Sequence, residues 1–534
     1  MHTSTHLPGG EVEKLVEAQR SEFFGWGESC RDIQRVATFA PPEKCFANAR
    51  IFRPSLRGGG LCRASLKCAN GAGAKHGRGN KAAHALASVC GAIFLAAIAC
   101  APVFASAAAA GAPKLTLYRG ATLIDGTGAA PKSGMAIVVD GERISAVISD
   151  AQAGQFAANA TIVDAHDLYV LPGLIDSHVH LATQPNRRFA EALLRRDVYS
   201  GVTAVRDMAG DARQLADLAR AARMAEMPSP DIYYAALMAG PEFFKDPRTH
   251  AASQGAVAGE VPWLRAVTDA TDMHLAIAEA HGTGATGIKI YADLPGSLVQ
   301  SITAEAHRQH MIVWAHAAVF PASPRQVVDA GVDVVSHACM LGYQVSNPIP
   351  REYHNRAPVD AATLAGDNAD IDSLLADMKA RGTILDATLF VYAEMWKEAT
   401  PKAPPYCSLE LAEQLAAEAH RAGIPISAGT DSPGDWNDPY PSLYGELALL
   451  VHHAAFTPIE AIIASAKVGA ATVQQSADMG TIEPGKLANL MFVAKNPLGD
   501  IDNLKTVVMT VKRGKLYRRS DYRPIAKDEA QGEM

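Results

Sequence analysis

From residue 166 onward the chain alternates short apolar runs, rich in β-branched residues, with longer stretches whose apolar positions recur at helical spacing. The runs are Tyr169–Ser177, Val202–Met208, Asp231–Leu237, Gly287–Ala292, Met311–Ala315, Val332–Ser336, Thr383–Thr388 and Ile424–Gly429. The stretches between them include Arg188–Tyr199, Ala212–Met224, Asp272–His281, Ser301–His310, Pro324–Ala330, Ile371–Arg381 and Leu409–Ala422. Continuous apolar runs of this length fit strands buried on both faces, and a 3.6-residue period fits amphipathic helices that cover them. Eight such alternations predict an α/β fold, a closed (β/α)8 barrel of the TIM type over residues 166–477.

The flanks follow a different rhythm. Residues 114–165 and 478–519 carry short apolar runs without helical period, separated by glycine-bearing turns such as Asp140-Gly141 and Arg513-Gly514. That is hairpin sequence. Two such halves on either side of a barrel predict one small β-sandwich domain, discontinuous along the chain, with residues 520–534 left as a C-terminal tail.

Composition excludes some classes. The 534 residues are 48% hydrophobic and 20% charged, which fits a soluble globular protein rather than a disordered or polytopic one. With 49 basic against 56 acidic side chains the net charge is −7, so nothing electrostatic points to nucleic acid as a partner. The N-terminus departs from the average, with no acidic residue between Glu43 and Asp125. Its apolar stretch Ala85–Phe104 follows Lys81 and precedes Ala105-Ser106-Ala107, the layout of a secretory signal with cleavage near residue 107. Residues 1–110 are therefore expected to lie outside the fold, and the mature protein to be secreted or periplasmic. Retention of 85–104 as a membrane anchor is the alternative, since about 20 apolar residues suffice to span a bilayer. After residue 110 only Cys339 and Cys407 remain, enough for one disulfide and too few for a disulfide scaffold.

Candidate chemistry gathers at the C-terminal ends of the strands, where barrel enzymes keep it. His178 and His180 close the first strand; two residues apart on an extended segment, they share a face and suit one metal ion. Such a pair is weak alone, because 18 histidines in 534 positions produce about 0.6 of them by chance. Lys289 interrupts an apolar run, and a buried lysine is costly unless paired, neutral or modified. His316 and His337 end the fifth and sixth strands, and Asp431 follows the eighth. Each has an ordinary alternative: a hydrogen-bonded histidine, an ion-paired lysine, a helix-capping aspartate. Their joint occurrence at strands one, four, five, six and eight points instead to a metal centre, and imidazole with carboxylate suits zinc or a similar divalent ion.

The segment Leu171–His180, with Gly201–Met208 and Ala428–Asp431, resembles the metal-dependent amidohydrolase superfamily, and within it the branch of imidazolonepropionase-like proteins and Xaa-Pro dipeptidases. The resemblance runs from about Lys114 to Arg519 and includes Gly480–Leu490. It implies that His178, His180 and Asp431 hold one divalent metal ion, that His316 and His337 hold a second, and that N-carboxylated Lys289 bridges the two. Carboxylation would turn a buried cation into an anionic oxygen ligand. A one-metal site with Lys289 unmodified is the alternative. The resemblance further implies a bridging water acidic enough to supply hydroxide near neutral pH, with Asp431 taking its proton and passing it to the leaving nitrogen.

The expected reaction is hydrolysis of an amide-type C–N bond in a small molecule, a dipeptide or N-acyl amino acid first and a lactam or imidazolone-like ring second. Ester or carbamate hydrolysis and a non-catalytic scaffold are the remaining readings. Substrate contacts depend on the loops after the strands, where Arg206, Tyr291 and Tyr343 are the candidates. The chain is expected to form a homo-oligomer, with no stable membrane partner unless residues 85–104 are retained.

Overall fold

The computed structural model describes residues 115–354, 356–364, 368–400 and 405–531. The expected signal segment 85–104 and the rest of 1–110 lie outside the described residues. Among the described residues, no helix is long and apolar enough to cross a membrane.

Eight strands form the barrel: Leu174–Val179, Val202–Asp207, Asp231–Ala239, Gly287–Ile290, Ile312–His316, Val334–Ser336, Ile384–Asp386 and Ile426–Ser427. Each pairs in parallel with the next. The ring closes between the first and the eighth, where Ser177 N–H donates to Ala428 O at 2.9 Å and Asp431 N–H donates to His178 O at 2.9 Å. Closure therefore sets Asp431 beside His178. Ile288, Val313, Trp314, Val334 and Leu385 are buried in this layer, so the barrel is a packed core.

The helices that return the chain begin at side-chain caps. Asn186 accepts from Phe189 N–H ahead of Arg187–Val198, Asp272 from Leu275 N–H ahead of Met273–Gly282, and Ser408 from Leu411 N–H ahead of Leu409–Ala422. Such caps satisfy amide groups that the first turn leaves unpaired.

The two flanks combine in one mixed sheet. Leu115–Leu123, Lys132–Asp140, Arg143–Ser149, Ala160–Asp164 and Tyr169–Pro172 come from the first, and Leu490–Val493, Val507–Lys512 and Lys515–Arg518 from the second. They meet where Tyr169–Pro172 pairs antiparallel with Leu490–Val493. Tyr118, Ile137, Phe492, Met509 and Val511 fill the core beneath. At the far end, the short helix Lys527–Gln531 packs Ala530 against Ala192 and Leu193 of Arg187–Val198, with Arg195 and Glu529 paired at 2.9 Å.

The structure corrects the first strand. The apolar run Tyr169–Ser177 is two strands in two sheets, and the switch falls at Gly173. Gly173 N–H donates to Asn489 O in the flanking sheet, while Leu174 N–H donates to Gly201 O beside the barrel. A Cβ at residue 173 would collide with Thr203, so the crossing needs glycine. Both halves are apolar, which hides the change of partner from the sequence pattern. The third strand also extends past its expected end to Ala239, because Leu264–Ala266 returns to pair with Leu237–Ala239.

Candidate metal centre

The strand ends bring imidazoles and one carboxylate together at the barrel mouth. One nitrogen each of His178 and His337 and one oxygen of Asp431 lie within 4.8 Å of one another. His180 joins through Asp431, its Nε2 standing 3.1 Å from Oδ1, with His178 Nε2 at 3.4 Å from the same oxygen. His337 Nδ1 is 3.8 Å from Asp431 Oδ2. The His316 ring centre lies 4.7 Å from that of His337 and thereby extends the cluster to the fifth strand.

Hydrogen bonds on the far side of the rings orient them. His178 Nδ1 is 2.8 Å from Asp386 Oδ2, a carboxylate that can only accept while ionised, so Nδ1 carries the proton and Nε2 offers its lone pair toward Asp431. His180 Nδ1 is 3.1 Å from Thr183 Oγ1, whose own proton goes to Ala209 O at 2.9 Å. The same bookkeeping leaves His180 Nε2 as an acceptor. His337 Nδ1 is 2.9 Å from Thr388 Oγ1. His337, Thr388 and Asp431 all adopt positive φ, at 75°, 52° and 51°. Left-handed backbone at non-glycine residues costs about 1–3 kcal/mol each and concentrates at functional sites.

Electrostatics favour a cation. Burial drives His178 and His316 well below the usual imidazole range and His337 down to about 4, so all three are neutral donors near pH 7. Burial alone would raise the pKa of Asp431, and its interaction with His178, His180 and His337 reverses the direction only through positive charge in the cluster, which neutral rings lack and a bound cation would supply. Neutral imidazoles around a carboxylate are the donor set that a divalent ion needs. Among the described residues, neither ring nitrogen of buried His316 has a hydrogen-bond partner, and neither does Nζ of fully buried Lys289. Burial and then Arg206 pull the Lys289 pKa down to about 7, against Asp386 and Asp431. These orphaned groups fit bound metal.

The substrate-contact candidates fall in different places, and Arg206 lies deepest. It is fully buried within the barrel, where Nε donates to Ser177 O and Nη2 to Asp386 Oδ2 at 2.9 Å, with its guanidinium over Trp314. A charged residue in an apolar strand here finds its partners in the barrel interior. Tyr291 stands at the site, its ring centre 4.1 Å from that of His316. Tyr343 lines the neighbouring cleft, although its hydroxyl is committed to Ala357 O at 2.9 Å.

That cleft contains residues the sequence reading missed. His337 and Asp431 are part of its lining, together with Tyr353, Tyr392, Met395, Tyr406 and Arg356. The Arg356 guanidinium lies 4.2 Å from the Tyr353 ring centre and 4.0 Å from that of Tyr406. Among the described residues it has no carboxylate in ion-pair range, and its buried Nε has no partner. Asp386 was missed too, although it carries the signal that singled out Lys289, a charge inside an apolar strand. Cys339 and Cys407, the two cysteines after residue 110, form a disulfide with Cα atoms 6.3 Å apart, and Cys407 borders the cleft.

Several solved structures share this architecture. They include a Xaa-Pro dipeptidase with methionine bound in its active site, 22% identical with a TM-score of 0.60 over 76% of this chain and 100% of that one. Ochratoxinase from A. niger is 21% identical with a TM-score of 0.61, covering 78% and 98%. A prolidase complexed with N-methylphosphonate-L-proline is 23% identical with a TM-score of 0.57, covering 76% and 100%. Likeness at such identities establishes the fold. No curated protein matches the chain. The sequence model of the Amidohydrolase family matches residues 169–517, a span that contains every barrel strand and every strand-end candidate, and the chain belongs to that family.

Proposed function

We propose that this amidohydrolase cleaves the amide bond of a small substrate bearing a free carboxylate, an N-acyl amino acid or dipeptide, with two divalent metal ions, zinc by the chemistry of the donors. The observation that carries the reading is Arg356, a cation without an acidic partner among the described residues, in the same cleft as Asp431. One aromatic ring separates it from the cluster, since the Tyr353 ring centre lies 4.2 Å from the guanidinium and 5.6 Å from the His316 ring.

His178, His180 and Asp431 would hold one ion, His316 and His337 the second, and N-carboxylated Lys289 would link them. The lowered proton affinity of Lys289 supports this assignment, because only the free amine reacts with CO2. When bound, the ions would supply an acidified water and an electrophile for the carbonyl oxygen. Asp431, ionised and in contact with His178 and His180, accepts a proton and returns it to the leaving nitrogen. Arg356 fixes the substrate by its carboxylate, a charge-assisted contact strengthened by the aromatic walls. The compactness of His178, His337 and Asp431 favours one alternative, a single ion with Lys289 unmodified.

An exported protein agrees with the signal layout at 85–104 and with the Cys339–Cys407 disulfide, which belongs in an oxidising compartment. The test is a panel of dipeptides, N-acyl amino acids and cyclic amides given to metal-replete protein. Chelator-sensitive turnover of the first two classes supports the reading. Metal-dependent turnover confined to neutral or cyclic amides contradicts it.

A further inference from the structure

We propose that the Cys339–Cys407 disulfide is a positioning element of the substrate cleft, holding the Tyr406 wall against the metal-site floor so that Arg356 meets a substrate carboxylate in register. The claim rests on the cleft being the substrate site, as in the proposed function. The two cysteines differ in how the rest of the fold secures them. Cys339 lies two residues after His337 in the buried turn Ala338–Val345. That turn is anchored without the cross-link: His337 N–H donates to Asp386 O at 2.9 Å, Ala338 N–H to Ala387 O at 3.1 Å, and Met340 N–H to His337 O at 2.8 Å.

Cys407 is on the other side of a 68-residue separation, in irregular backbone just before the Ser408 cap of helix Leu409–Ala422. Its neighbour Tyr406 stacks on the Arg356 guanidinium at 4.0 Å and accepts at its carbonyl oxygen from Val359 N–H at 2.9 Å. Both of those partners belong to the loop that follows strand six. The disulfide is thus the covalent tie between this irregular wall and the turn that carries His337. Cα atoms 6.3 Å apart are within the range of native disulfides. Preorganised walls spare a ligand the cost of ordering them, so loosening the wall weakens binding before it affects chemistry.

A trialkylphosphine tests this directly. Phosphorus gives two electrons to the S–S bond, both sulfurs leave as thiols with protons from water, and the phosphine takes the water oxygen as its oxide. Peptide mapping of the non-reduced full-length protein first establishes the linkage. Metal-replete protein is then assayed before and after reduction for kcat and KM with an N-acyl amino acid, for calorimetric binding of 2-methyl-4-oxopentanoate, the ketone isostere of N-acetylalanine that has no amide bond to cleave, and for metal content. The expected result is about a tenfold rise in KM and a matching loss of probe affinity, with kcat within about twofold. Metal content stays constant, and reoxidation restores binding. The double variant Cys339→Ser/Cys407→Ser starts at the reduced values and ignores the phosphine.

Unlinked thiols in the native protein, unchanged KM and probe affinity after complete reduction, or metal loss in step with reduction would each overturn the proposal. If no substrate is turned over, the functional reading fails, while calorimetry still decides the positioning claim: probe binding that is insensitive to reduction, or absent from the oxidised protein, defeats it.

Discussion

His178 and Asp386 face each other across the barrel floor, Nδ1 to Oδ2 at 2.8 Å, and this contact points the opposite ring nitrogen at Asp431. The same carboxylate receives Arg206 Nη2–H at 2.9 Å and Ser336 Oγ–H at 3.0 Å. Burial raises the Asp386 pKa and Arg206 opposes the rise. Strand seven thus contributes to the site without supplying a metal ligand.

Asp386→Asn keeps the shape and removes the charge that orders His178. Metal affinity measured by chelator competition is expected to fall about 10- to 100-fold, the usual penalty for losing a partner behind a metal-bound histidine. Unchanged affinity would show that the ring is oriented without Asp386.

Lys289→Ala should reduce metal content and activity together, with partial recovery by small carboxylates that can occupy the space of the bridge. Metal analysis with and without added formate reads the result. Full metal content in the unsupplemented variant would favour the single-ion alternative.

Arg356→Gln is expected to lower kcat/KM for N-acyl amino acids about 100-fold, as expected when a charged group on the ligand loses a buried counter-ion. The corresponding carboxamides should change little, so the two substrate classes converge. Equal losses for acid and amide would assign Arg356 to the structure of the cleft rather than to recognition.

The metal-free protein should lose stability in mild acid. Folding holds His337 at about 4 and His178 and His316 well below the ordinary value near 6.5. Between those limits the unfolded chain binds protons that the folded chain refuses, so stability is full above about pH 6.5 and declines toward pH 4. Thermal midpoints across that window should fall, and less steeply for His316→Phe. A flat profile would mean that these rings are solvated.

Much of this molecule is legible in its sequence because burial writes itself into the pattern. A strand covered on both faces must be apolar, so Lys289 stands out, and the strand ends follow from the strands. The Gly173 switch is not legible, since Leu171 and Leu174 are equally apolar and only the partner strand distinguishes them. The placement of Arg206 is hidden for a related reason. A charged residue near a strand end can face the mouth or the interior, and its direction depends on Asp386, 180 positions away. Arg356 and Tyr353 lie in a long loop without periodicity, where neither pattern nor spacing marks a residue that meets the site.

The central claim is that side chains from five strands converge to hold divalent cations at the barrel mouth. Metal stoichiometry after zinc loading and exhaustive dialysis, measured in parallel for the unaltered protein and Asp431→Ala, tests it most directly. The account predicts two ions per chain and a clear loss in the variant. Substoichiometric metal in both, at the same level, would contradict it.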